Sequence, residues 1–125
     1  MPVVVLAEDN ETTLFRLAQI MEKGGHTVLK AANGSEALEI LENNHADILV
    51  TDIFMDNIDG IELLEQVLKK YKNLPVITMS SETVQGRKNF MLEIADKLGS
   101  NLKLYKPVKP DQLLNGIERL LKKVR

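Results

Sequence analysis

Six side chains in this sequence are of types that can cooperate chemically: the carboxylates of Glu8, Asp9 and Asp52, the hydroxyls of Ser80 and Ser81, and the ammonium of Lys106. Each follows or closes a short apolar run, in "VVVLAED", "ILVTD", "VITMSS" and "LKLYK". Three carboxylates drawn together raise one another's pKa and destabilise a fold unless a cation joins them. Two cations suit the task, Mg²⁺ and a lysine. Magnesium takes hard oxygen ligands, keeps several waters and is commonly held by one or two carboxylates plus a phosphate. In such a site Asp9 and Asp52 supply direct carboxylates, Glu8 acts directly or through water, and the backbone carbonyl of Phe54 completes the protein's share. Lys106 is then a point charge for a phosphoryl oxygen, and the Ser80 hydroxyl a donor that rotates towards it. Taken singly, an Asp or Ser after a strand is ordinarily a cap and a Lys a solvated charge. The meaning lies in the combination.

That combination requires elements that bring four separate stretches to one place. Apolar, β-branched runs alternate with stretches of helical period, which is the pattern of a parallel sheet with crossover helices. Strands are expected at Val3–Leu6, Thr27–Ala31, Ile48–Thr51, Val76–Met79 and Leu102–Tyr105. Leu14, Leu17, Ala18 and Met21 recur at i, i+3, i+4 and i+7, as do Met91, Ile94, Ala95 and Leu98, and Leu113 to Val124 show the same stripe. "KGGH" reads as a helix end and turn, "NG" before Ser35 as a helix start, and Pro110 as the first residue of the last helix. In open sheets of this kind ligands bind beyond the carboxyl ends of the strands, which is where the six side chains fall.

The 125 residues suffice for one domain with a real core, and 1–125 is read as a single unit. Cysteine is absent, which removes disulfides, thiol catalysis and zinc–thiolate sites. No apolar run approaches the roughly 18 residues that span a bilayer, and a cytoplasmic location without membrane contact is expected. The net charge of -2 is unevenly spread: residues 1–85 carry 6 basic and 14 acidic residues, and residues 86–125 carry 10 and 4. Neither a Walker A loop nor G-x-G-x-x-G occurs. With two Tyr, three Phe and no Trp there is no aromatic platform for single strands, and the domain alone is not expected to bind nucleic acid. His26 and His45, in polar turn contexts, are expected at the surface.

"VVVLAEDNE", "ILVTDIFMDNIDGIELL", "LPVITMSSE" and "LYKPVKP" resemble, in order and spacing, the motifs of the two-component response-regulator receiver domain. The resemblance covers essentially the whole chain. It implies a doubly wound α/β fold: a five-stranded parallel sheet of order 2-1-3-4-5 with helices on both faces. It further implies that Asp52 accepts a phosphoryl group from a histidine kinase or a histidine phosphotransfer protein, and that Glu8 and Asp9 with Asp52 and Phe54 hold Mg²⁺. Ser80 resembles the family's switch hydroxyl and Lys106 the lysine of its Lys-Pro motif, whose peptide bond is typically cis. Gly60 and Gly99 match family glycines before the third helix and the fifth strand. The domain so implied catalyses its own phosphorylation and dephosphorylation and is not a turnover enzyme on other substrates.

Three departures from the family pattern stand out. Asp56 takes the place of a common proline. Lys103 occupies the position of the usual switch aromatic, so that Tyr105 either takes over part of that signal or packs on a neighbouring helix. The segment from Ser80 to Gly99 is longer than usual by about one helical turn. With Arg87, Lys88, Lys97, Lys103, Lys122 and Lys123 it implies a basic output surface suited to an acidic downstream protein. The initial Met and the closing "KKVR" lean towards a free-standing domain. Set against the switch is a receiver-like scaffold that binds a partner without phosphorylation.

Overall fold

The computed structural model describes residues 1–53, 60–81 and 99–124. The elements run β1 (Val3–Ala7), α1 (Glu11–Lys23), β2 (Thr27–Ala31), α2 (Gly34–Asn43), β3 (Ile48–Asp52), α3 (Gly60–Lys70), β4 (Val76–Ser81), β5 (Leu102–Lys106) and the last helix, α4 (Pro110–Val124). The helix expected across Met91–Leu98 lies outside the described residues, as do Phe54, Asp56, Arg87, Lys88 and Lys97. Among the described residues no helix is long and apolar enough to cross a membrane.

The five strands pair in parallel in the order β2-β1-β3-β4-β5, as the resemblance implies. Strand alternation divides the buried side chains between two cores. Val4, Leu6, Ile48, Val50, Ile77, Met79 and Leu104 meet Leu17, Ala18 and Met21 of α1 and Leu113, Ile117, Leu120 and Leu121 of α4. On the opposite face Val5, Ala7, Leu49 and Val76 meet Ala37 and Leu41 of α2 and Leu63, Leu64 and Val67 of α3. Both faces of the central strands are therefore dry, which is why those strands read as continuous apolar runs.

Four strands extend one or two residues beyond their sequence-predicted ends: β1 to Ala7, β3 to Asp52, β4 to Ser81 and β5 to Lys106. Backbone pairing continues where the apolar side chains stop, since Asp52 registers with Met79, and Ser81 with Lys106. Polar residues capable of chemistry thus sit in the ladder itself, more rigidly held than loop residues would be.

Local chemistry sets the helix ends. Asn10 caps α1 by accepting from the Thr13 N–H at 2.9 Å. Asn33 caps α2 through the Glu36 N–H, and Glu36 accepts in return from the Ala32 N–H, both at 2.9 Å. Gly25 at φ 91° makes the turn into β2, and Gly99 at φ 119° precedes β5, a conformation that side chains rarely adopt. The Lys106–Pro107 bond is cis.

His26 is not at the surface. It is 5% exposed, directly after the turn that follows α1, and among the described residues neither ring nitrogen has a hydrogen-bond partner. The turn context misleads here because the His26 N–H still bonds back to the Met21 carbonyl, which keeps the residue against the end of α1. His45 is exposed as expected, with Nε2 3.0 Å from Asp47 Oδ1.

Candidate functional site

The first turn of the chain leaves β1 at Ala7 and enters α1 through the Asn10 cap, so Glu8 and Asp9 are pinned between a buried strand and a helix N-terminus. Glu8 is 1% exposed, whereas Asp9 is exposed. One Glu8 oxygen, Oε2, accepts from the Asn10 N–H at 3.0 Å, and Oε1 accepts from the Lys106 ammonium.

Asp52 closes β3, the neighbour of β1, and is 6% exposed. By alternation it shares a face with Ile48 and Val50, as Lys106 does with Leu102 and Leu104 on β5. β4 lies between those two strands, and the long lysine stem spans it. Lys106 Nζ reaches Asp52 Oδ2 at 2.7 Å while also bonding Glu8. Residues 98 and 54 positions apart in sequence thus form one buried ion-pair network.

Glu8, Asp9 and Asp52 each offer a carboxylate oxygen, all within 4.8 Å of one another. With Lys106 they make three negative groups and one positive, a formal charge of -2 that a divalent cation balances. All donors are hard oxygens, and exposed Asp9 opens the cluster to water, so the set fits Mg²⁺. Glu8, with both oxygens engaged, suits a ligand acting through water better than Asp9 does.

Burial is the largest influence on Glu8 and pushes its carboxyl above the usual 4.5; the repulsion of Asp52 adds to this, against the opposing hydrogen bonds from Lys106 and Asn10. Burial also works against the charge on Lys106, but the hydrogen bonds to Asp52 and Glu8 outweigh it and hold the ammonium above its ordinary value. The site therefore keeps its lysine charged at neutral pH.

Ser80 lies within β4, fully buried, with no partner for its Oγ among the described residues. It registers with Tyr105, so the two share a face of the sheet, and Tyr105 is 39% exposed. Below it, Thr78 Oγ1 and Ser100 Oγ bond each other at 3.0 Å, which makes the unpartnered Ser80 hydroxyl stand out within a run of satisfied ones. Glu8, Asp9, Asp52 and Lys106 are thus brought together, and Ser80 is held at the same sheet edge without a bond to them. Phe54 falls outside the described residues.

One contact at this edge had no signal in the motifs: Arg16 of α1 donates from Nη2 to the Val108 carbonyl at 2.8 Å, two residues past Lys106. An arginine outside the apolar stripe of a helix reads as solvated unless its partner, here 92 positions away, is known.

The model of the response regulator receiver domain matches residues 4–118. The chain is 28% identical over 120 residues to Protein PilH of Pseudomonas aeruginosa, covering 94% of this chain and 96% of that protein. It is 37% identical over 87 residues to the two-component response regulator-like protein APRR7 of Arabidopsis thaliana, which covers 66% of this chain and 12% of that much longer protein. The solved structure of the Francisella response regulator 1452 receiver domain superposes with a TM-score of 0.86 at 31% identity, covering 100% of both chains. Strand order, the acid-rich sheet edge and a match across nearly the whole sequence agree, and the chain belongs to the response regulator receiver domains of two-component systems.

Proposed function

We propose that this domain is a phosphorylatable signalling switch in which Asp52 accepts a phosphoryl group from a phosphohistidine of a histidine kinase or phosphotransfer protein. The observation that carries the reading is the Lys106 ammonium bonded to both Asp52 and Glu8 at the carboxyl edge of the sheet. Asp9, Asp52 and Glu8, with the Phe54 carbonyl, would hold Mg²⁺, which when bound would supply neutralisation of the charge on the phosphoryl oxygens. An Asp52 carboxylate oxygen attacks phosphorus in line, the P–O bond forms as the P–N bond breaks with its electron pair left on nitrogen, and the donor ring, which already carries a proton on its other nitrogen, leaves as neutral imidazole. Lys106 follows the charge from the carboxylate to the phosphoryl oxygens, and its held position limits the reorganisation needed as it does so.

The acyl phosphate adds almost two negative charges at the sheet edge that also holds Ser80, whose hydroxyl has no partner among the described residues. Ser80 then gains the acceptor it lacks. Its register partner Tyr105 lies where that change reaches the outer strand of the sheet, in keeping with a part in the signal that the family's aromatic has at the position of Lys103. The downstream protein is acidic in this reading and meets basic side chains of β5 and α4, among them Lys103 and Lys122. The domain acts only on its own aspartate, within the cytoplasm.

The test is intact mass after incubation with Mg²⁺ and acetyl phosphate. One phosphoryl adduct that vanishes in Asp52→Asn is expected; an unmodified intact chain would sink the switch and leave the scaffold.

A further inference from the structure

Lys106 is the last residue of β5, an outer strand of the sheet, and the next residues have no strand to hold them. Its ammonium must nevertheless serve two carboxylates at once. Two features fasten the chain just beyond it. The Val108 side chain, 1% exposed, enters the core shared with Leu17 of α1, and the Val108 carbonyl accepts from Arg16 Nη2 at 2.8 Å. Thr13, Arg16, Leu17, Lys106, Pro107 and Val108 line a cleft of about 370 Å³ between α1 and this loop. Without the guanidinium the loop would be held from the α1 side mainly by apolar packing, which is non-directional.

Helix α1 also begins directly after the acidic pair, at the Asn10 cap. One rigid helix therefore begins just after Glu8 and Asp9, at the Asn10 cap, and about one and a half turns from its first residue carries the hydrogen bond to the loop after Lys106. A charge-assisted bond has the directionality to set that loop's height relative to the acids.

We infer that Arg16 is a positioning residue for Lys106, holding the Pro107–Lys109 loop so that the ammonium meets Asp52 and Glu8 together. The inference builds on the phosphoacceptor reading in its kinetic consequence, but its geometry stands without it.

The experiment is a double-mutant cycle on the full chain, with Arg16→Ala, Lys106→Met and the pair, using acetyl phosphate and Mg²⁺ and following the adduct by intact mass. Arg16→Ala slows phosphorylation about 3–10-fold where Lys106 is present. In the Lys106→Met background the same change costs less than about 1.5-fold, because the lysine through which it acts is gone. Equal losses in both backgrounds, or none in either, overturn the inference. The same four proteins are melted without metal, where the cost of Lys106→Met shrinks once Arg16 is Ala; an unchanged cost also overturns it. If the parent chain takes no phosphoryl group, the switch reading fails while the melting cycle still decides the role of Arg16. Should Arg16→Ala not fold, Arg16→Gln enters the same cycle.

Discussion

Lys106 Nζ lies 2.7 Å from Asp52 Oδ2 while bonding Glu8, so a single ammonium keeps two buried carboxylates from facing each other unscreened. Removing one member of a buried ion network leaves the others uncompensated, and that residue is normally worth more than the net pair. Lys106→Met is expected to cost about 2 kcal/mol in metal-free protein, a fall of roughly 6–10 °C in Tm by calorimetry. Mg²⁺ should bind the variant more tightly than the parent, since Glu8 and Asp52 then lose the lysine that both bond. Titration calorimetry that found weaker binding would contradict this account.

The raised pKa of Glu8 carries its own sign. Its charged form is disfavoured in the folded chain, chiefly by burial, so folding is free of this penalty below the ordinary 4.5. The penalty grows as pH rises through the folded value and is complete above it. Glu8→Gln should therefore melt several degrees higher than the parent at pH 7 without metal, and the gap should close as pH falls towards 4. A gap that stays constant across that range would assign the gain to something other than the carboxylate charge.

Ser80 is buried, and its hydroxyl has no partner among the described residues. A buried polar atom without a bond costs about 1–3 kcal/mol. Ser80→Ala should raise the Tm of the unphosphorylated protein by a few degrees and blunt the difference between the phosphorylated and unphosphorylated states, read by ¹⁵N–¹H spectra at Tyr105. Loss of stability in Ser80→Ala would mean that the hydroxyl already has a structural partner.

His26 presents a similar opportunity without a role in the site. Both ring nitrogens are buried and have no partner among the described residues, and Leu is close in volume. His26→Leu should stabilise the protein by about 1 kcal/mol at pH 7 in urea unfolding, with m unchanged.

Much of this architecture is legible in the residues because the two central strands are dry on both faces, which leaves no choice but unbroken apolar runs such as Val3–Leu6 and Ile48–Val50. The strand ends are less legible. Pairing depends on the backbone, and the side-chain pattern is silent once Asp52, Ser80 and Lys106 replace apolar residues. The need for a cation among the acids could be argued from charge alone, but the sharing of Lys106 between Glu8 and Asp52 depends on its reach across β4. His26 and Arg16 were not legible for one reason: each is defined by an element it meets in space, the end of α1 for the histidine and the loop beyond β5 for the arginine, and neither carries a periodic signal.

The distance in sequence between Glu8 and Lys106 also matters while the chain is being made. The acids of β1 and β3 emerge from the ribosome well before β5, and the lysine 98 positions after Glu8 arrives near the end of synthesis. A sheet formed before then would hold Glu8 and Asp52 close together without Lys106, so β1 and β3 would repel at the edge where they pair. Translation of the last quarter of the chain supplies both the closing helix and the neutralising charge, which ties completion of the site to completion of the fold.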